Sequence, residues 1–325
     1  MLFDSTLEYD IIKDDEYDTK MKEIEGILDR YAHRGYFTSF DNTQMFYEFF
    51  KVSKPVANIV VVHGYTEFTK KYYEMSWYFM KMGYNVFLYD VRSHGYSHRY
   101  SHNTEMTHVE KFEDYAFDLE CFINNIVNPN SDSVPLYIYS HSMGGTIAQL
   151  YLSNCKNQVQ KAILSAPMIY PFTPPLPRFV LKKLLEGAAK KFGWDAKFKF
   201  SSDFNPDAKV EKSNDLSYQR FKYNLDMRIN DTKYRNSYAS NRWNHEAISV
   251  VEKILAKKSA NNIKAKMLII SAGKDTAVKF KPQKRLSRLL KCEHKVFKDA
   301  RHSLYTMPDY ALKEYVDTLL NFFAG

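Results

Sequence analysis

The sequence predicts an α/β protein: a mostly parallel, doubly wound sheet with a helical lid inserted after the sixth strand. Three observations predict it. Continuous apolar runs such as 58–62 and 266–270 suit strands covered on both faces. Segments of helical spacing separate those runs. Between 166 and 258 the strands stop, and five prolines crowd the entry: Pro167, Pro171, Pro174, Pro175 and Pro177.

Taken in order, residues 1–34 form an acidic, helix-compatible segment ending near Gly35. Runs 36–39 and 44–52 read as two strands joined through Asp41-Asn42. Buried strands follow at 58–62 and 85–89, with a helix over 70–82 that Gly83 stops. A long helix is expected over 109–126, then strands at 134–139 and 161–165. Helix-like stretches 179–192 and 218–229 lie inside the insertion. Sheet texture returns with strand 266–270, helix 281–290, strand 294–297 and a last helix over 309–323. The expected organisation is an N-terminal segment at 1–34, a core at 35–165 and 259–325, and a lid at 166–258. The lid leaves the sheet where strand C-terminal ends lie, the edge at which open α/β sheets bind ligands.

Charge is unevenly spread. Residues 1–29 carry ten acids and three bases, a local −7, which leaves +15 on the rest of a chain whose net charge is +8. Such a body is drawn to anionic surfaces. No basic stripe with regular aromatic interleaving appears, which argues against nucleic acid. The N-terminus lacks a basic segment followed by an apolar one, and no 18-residue apolar run exists, so neither a signal peptide nor a membrane span is expected. Three widely spaced cysteines, Cys121, Cys155 and Cys292, fit no zinc pattern and no complete disulfide framework. The expected setting is cytoplasmic, with peripheral membrane contact open.

Ser142 stands between an apolar strand and the helix-forming run 146–150, in Ser140-His141-Ser142-Met143-Gly144-Gly145. A serine on that sharp turn projects its hydroxyl above the sheet edge, and the helix N-terminus behind it offers N–H groups to a developing negative charge. A serine hydroxyl is a poor nucleophile and needs a base, which in turn needs an orienting carboxylate. Asp275 follows strand 266–270, and His302 follows strand 294–297, both on loops at the same edge as Ser142. The order serine, acid, histidine is the one this architecture uses. Two backbone donors must hold the oxyanion. Met143 N–H is one. Tyr65 N–H is the other, in the His63-Gly64-Tyr65 turn after strand 58–62. His63 is expected to brace that turn. No metal or organic cofactor is called for.

These motifs together resemble the α/β-hydrolase superfamily, and more narrowly its bacterial lysophospholipase and monoacylglycerol lipase group. The likeness runs over residues 35–325 and is weakest in the lid. It rests on His63-Gly64 with Glu67 and Tyr72, on Asp90-Val91-Arg92-Ser93-His94-Gly95-Tyr96-Ser97, on Ser140 to Gly145, and on Ala300-Arg301-His302. Ser93 and Ser140 stand where the family has glycine, which puts local backbone geometry in question. The resemblance implies a triad of Ser142, Asp275 and His302, with Tyr65 and Met143 as oxyanion donors.

Substrate choice must come from the lid. Met168, Tyr170, Phe172 and Phe179 are the candidates for an acyl slot, where each buried methylene contributes about 0.8 kcal/mol. Gluing lid helices together is the competing use of the same side chains. Residues 181–233 hold twelve bases and eight acids, which suits an anionic lipid surface. The leading reading is a serine hydrolase for esters of monoacyl lipids, with a small-molecule lipid as substrate and no protein partner indicated. A short-chain carboxylesterase stays open. So does a peptidase or amidase, with Asp203, Asp207, Asp215 and Asp226 as anchors for a substrate amine. A binding module without activity is the non-enzymatic alternative.

Overall fold

A computed structural model describes residues 2–100, 103–171, 173–174, 176–199, 201–209 and 216–325. Eight strands form one sheet: β1 His33–Thr38, β2 Gln44–Phe50, β3 Ala57–Val62, β4 Tyr84–Tyr89, β5 Leu136–His141, β6 Val159–Ser165, β7 Lys266–Ala272 and β8 Glu293–Phe297. Their spatial order is β1-β2-β4-β3-β5-β6-β7-β8. The β1–β2 and β2–β4 pairs are antiparallel. The other five pairs are parallel.

The central strands are covered on both faces because they are apolar at most positions. Every residue of β3, β4 and β5 is buried. Side chains alternate between faces. Ile59, Val61, Val86 and Leu88 enter one core with Tyr78 and Phe79 of α2 (Tyr73–Lys81) and with Leu312, Val316 and Leu319 of α10 (Asp309–Ala324). Val60, Val62, Phe87 and Tyr89 enter the other. There they meet Leu119 and Phe122 of α3 (Asp114–Phe122), Ile147 and Leu150 of α4 (Met143–Asn154) and Leu286 of α9 (Phe280–Leu290). Each such side chain contributes roughly 1.5–3 kcal/mol on burial.

The acidic N-terminal segment packs on this body. In α1 (Tyr17–Tyr31) Tyr17, Met21, Ile24 and Leu28 are buried, at the three-to-four spacing of one helix face. Ahead of it, Phe3 N–H donates to Lys51 O at 2.9 Å and Ser53 N–H to Phe3 O at 2.8 Å.

Two expected helices begin later than their patterns suggest. The stretch 70–82 opens as a 3-10 turn, Thr69–Tyr72, before α2. In 109–126 the α-helix starts only at Asp114 and runs on as a π turn, Ile123–Val127. Val109 and Phe112 mimic helical spacing but lie in a loop, where they anchor in the core instead. The extended pair Met106–Thr107 and Tyr238–Ala239 holds the chain just before them.

Between the sixth and seventh strands of the sheet come α5 (Arg178–Phe192), α6 (Tyr218–Asn230), α7 (Asn241–Ile254) and α8 (Lys257–Asn262). Helices α5 and α7 join through Leu181, Leu185, Ile248 and Val251. Helix α6 is tied to the N-terminal segment by Arg220, which is fully buried. Its Nη2 donates to Glu74 Oε1 at 2.7 Å and to Ile12 O at 2.9 Å, and its Nη1 to Asp14. Tyr223 of α6 also donates to Glu25. A second buried guanidinium, Arg92, meets Asp118 through Nε at 2.9 Å and Nη2 at 2.6 Å. Among the described residues no helix is long and apolar enough to cross a membrane.

Candidate active site

Ser142 occupies the turn between β5 and α4 at φ 52° and ψ −118°, a region L-residues rarely visit. Such strain costs on the order of 1–3 kcal/mol and persists only where surroundings fix it. Here they do. Ser142 N–H donates to Ser165 O at 3.0 Å, and Ser142 O accepts from Gly145 N–H at 3.0 Å and Met168 N–H at 2.8 Å. Gly144 lets α4 press against β3: a Cβ there would lie 2.0 Å from Val62 O. Ser140 takes no positive φ, and its hydroxyl donates to Ile163 O at 2.9 Å. Ser93, in place of the other expected glycine, does sit at φ 64°, with its hydroxyl donating to His108 O at 2.9 Å.

His302 and Asp275 arrive from loops after β8 and β7. His302 Nε2 lies 2.8 Å from Ser142 Oγ, and Nδ1 lies 2.8 Å from Asp275 Oδ2. A carboxylate only accepts, so Nδ1 carries the proton and Nε2 is left to take one from the serine. Asp275 Oδ1 accepts from Ala277 N–H at 2.8 Å and Val278 N–H at 3.0 Å. Burial pushes the Asp275 carboxyl up, but His302 and those two amides outweigh it and hold it below the usual value. Burial lowers His302 first, the Asp275 bond opposes that, and His141 lowers it again; the imidazole ends below its ordinary 6.5. It therefore stands neutral near pH 7, as a proton acceptor must.

The loop after β3 is braced from four sides. Gly64 brings it against the nucleophile, since a Cβ there would lie 3.0 Å from Ser142 Cβ. Glu67 Oε2 accepts from Gly64 N–H at 2.6 Å and Tyr72 OH at 2.6 Å. Its Oε1 accepts from Lys71 at 3.2 Å and from Tyr305 OH. Burial pushes the Glu67 carboxyl up, yet Lys71, His141 and Tyr305 hold it well below the carboxylate range. His63 Nε2 accepts from Val91 N–H at 2.8 Å, and its Nδ1 faces Gly64 O at 2.8 Å. His94 Nε2 accepts from Thr66 N–H at 3.3 Å. The turn that carries Tyr65 thus lies against Ser142. The Met143 amide opens α4, where first-turn N–H groups have no acceptor within the helix.

A cavity of about 550 Å3 adjoins His302. Its walls include Phe68, Phe204, Leu216, Phe221 and Leu225, with Lys71, Arg228, Arg301 and Asp203 as charged groups. None of the described acyl-slot candidates lines it. Met168 is buried under the serine in the sheet core. Tyr170 joins the α5–α7 cluster. Phe179 is 65% exposed on α5. Phe172 lies outside the described residues. The cavity's own residues come mostly from α6 and its flanks, and no local pattern in the sequence announces them.

Known proteins resemble this chain in sequence and in fold. A family model described as serine aminopeptidase, S33, matches residues 53–309. A probable lysophospholipase L2 of Haemophilus influenzae is 26% identical over 273 residues, 81% of this chain and 82% of that protein. Lysophospholipase L2 of Escherichia coli K12 is 27% identical over 227 residues, 68% of this chain and 64% of its own length. A soluble variant of the Saccharomyces cerevisiae monoglyceride lipase, solved with a substrate analog, shares the fold. Its TM-score is 0.71 at 20% identity, covering 90% of this chain and 94% of that one.

Proposed function

We propose a function from one premise: the chain belongs to the serine aminopeptidase S33 family of α/β-hydrolases. It is a serine hydrolase that cleaves carboxylic esters of monoacyl lipids, lysophospholipid or monoacylglycerol. Relatives named lysophospholipase and monoglyceride lipase support that substrate class. The observation that carries the chemistry is His302, 2.8 Å from both Ser142 Oγ and Asp275 Oδ2.

In this reading His302 Nε2 takes the Ser142 proton as Oγ bonds to the ester carbonyl carbon. The Tyr65 and Met143 amides hold the resulting oxyanion, each donor being worth about 2.7–4 kcal/mol. The carbon–oxygen bond to the alcohol breaks, and His302 returns the proton to that leaving oxygen. Water then enters by the same route, giving its proton to His302 and releasing the fatty acid and free Ser142. Asp275 stays ionised and holds the imidazole through both halves.

Residues 166–258 act as the lid, and they carry the membrane contact. Helix α5 buries Leu181, Leu185 and Ala189 but leaves Phe179, Leu184 and Phe192 exposed among Lys183, Lys190 and Lys191. Apolar rings ringed by cations suit an anionic bilayer surface. Three free cysteines support a cytoplasmic setting. A peptidase role needs an acid to hold a substrate amine. Among the described residues Asp203 is the one carboxylate on the cavity wall, and Lys197 already pairs with it at 2.5 Å. Asp226 pairs with Lys222 at 2.5 Å, and Asp215 lies outside the described residues. Charge on the wall thus favours esters over amines.

The test is release of fatty acid from a panel of monoacyl lipids. Wild type should release it and label with a fluorophosphonate. Ser142→Ala should lose both, the rate falling by at least ~10⁴. Turnover of short soluble esters alone would remove the lipid assignment, and failure of Ser142 to label would remove the mechanism.

A further inference from the structure

We propose that Arg228, with Arg301 and Lys71, forms a phosphate seat in the cavity beside His302, selecting monoacyl glycerophospholipids over uncharged monoacylglycerols. The inference rests on the ester-hydrolase reading above and decides between its two lipid classes.

Arg228 carries the argument. Its Nε donates to Tyr234 O at 3.2 Å and its Nη2 to Asn236 O at 2.6 Å. Both acceptors are neutral carbonyls. Among the described residues no carboxylate lies within ion-pair distance of it. The contrast is with Arg92 and Arg220, each buried against carboxylates. A guanidinium has five N–H donors, so three remain for a ligand. Phe204, 4.6 Å below the guanidinium carbon, and the two carbonyls fix its plane. A fixed, planar, uncompensated guanidinium fits two phosphate oxygens at once. Burial lowers Arg228 below its usual basicity, with only Glu105 and Tyr65 opposing, so a bound anion would relieve a cost already present.

The surroundings agree. Lys71, which also pairs with Glu67 at 3.2 Å, and Arg301 share the wall, and among the described residues Asp203 is its carboxylate. Arg228 also bears on Tyr65. Burial pushes that phenol up, and the Arg228 charge opposes it. A lysophospholipid places its phosphate a few bonds from its ester, so a cation and the catalytic base on the wall of one cavity match one molecule. On the same wall Asn224 Oδ1 is buried without a hydrogen-bond partner among the described residues. It suits the free glycerol hydroxyl of a monoacyl lipid, which a diacyl lipid lacks.

The experiment uses the full chain and two substrates with one decanoyl ester each, decanoyl-glycerophosphoglycerol and decanoylglycerol. The ratio of their kcat/KM values is compared in wild type, Arg228→Gln, Arg228→Lys and the exposed-site variant Arg301→Gln. Wild type should favour the phospholipid. Arg228→Gln should lower the ratio about tenfold or more, as loss of a charged hydrogen bond does, through KM rather than kcat. Arg228→Lys should regain part of it, and Arg301→Gln should lower it less. Fluorophosphonate labelling checks that each variant folds; should Arg228→Gln fail to fold, Arg301→Gln and Arg228→Lys carry the test. An unchanged ratio in every folded variant overturns the phosphate seat. A wild type that turns over neither lipid while cleaving short esters overturns the reading beneath it.

Discussion

His141 Nε2 lies 3.1 Å from the carbonyl oxygen of His302, so the residue beside the serine supports the backbone of the base that activates it. The other nitrogen, Nδ1, meets Glu67 Oε2 at 3.2 Å. One ring thus links the carboxylate that shapes the oxyanion loop to the loop that carries the base.

This link sets the pH dependence. Burial and the His141 charge both hold His302 below 6.5, against the pull of Asp275. His302 must be unprotonated to accept the serine proton, so kcat/KM is lost as pH falls through its pKa. The acidic limb of wild type should therefore lie below 6.5. In His141→Asn a lowering charge is gone, and the limb should move up. A pH–rate profile on a soluble ester checks both, and a downward movement in the variant contradicts the assignment.

Asp275→Asn should lower kcat by about 10⁴, because an amide cannot hold the imidazole with its proton on Nδ1. The Ala277 and Val278 amides would still have an oxygen to meet, so the loop should keep its shape. Circular dichroism and thermal melting alongside kinetics separate the two effects, and a loss under tenfold would count against Asp275 as the orienting acid.

Glu67→Gln should act on kcat more than on KM. Gly64 N–H, Tyr72 OH and Tyr305 OH all converge on this carboxylate, and Tyr65 follows Gly64 directly. Misplacing one oxyanion donor costs about 10²–10³ in rate. Glu67 also raises His302, so the acidic limb should move down, opposite to His141→Asn. An effect confined to KM would show that Glu67 does not position the loop.

Asp118→Ala should destabilise the fold by about 3–5 kcal/mol, since it leaves a buried guanidinium short of its partner. Both Arg92 and Asp118 have side chains with 0% exposure. Asp41, 2.6 Å from Arg92 Nη1, limits the damage. Urea denaturation measures the change, and a loss below 1 kcal/mol would mean that Asp41 alone suffices.

Much of this was written locally in the chain. Ser142, Asp275, Tyr65 and Met143 each follow the end of a buried strand, which reads as a mostly apolar run, and His302 follows the edge strand β8, so position along the sequence translates into position at one sheet edge. The cavity was not written that way. Which face of α6 looks inward depends on Arg220 meeting Asp14, 206 residues away. The exposure of Phe179 likewise follows from α5 choosing Leu181, Leu185 and Ala189 for burial, a choice its partner α7 imposes. Val109 and Phe112 misled for the converse reason: their spacing was helical, but long-range packing had a use for them in a loop.

The tether from Arg220 to Asp14 and Ile12 has a practical bearing on anyone trimming this protein. Starting the chain at His33 would keep every reacting atom and the whole sheet. It would also strip away the abutment of the helix that bears Arg228, so a shortened catalyst should still cut simple esters while losing its discernment among lipids.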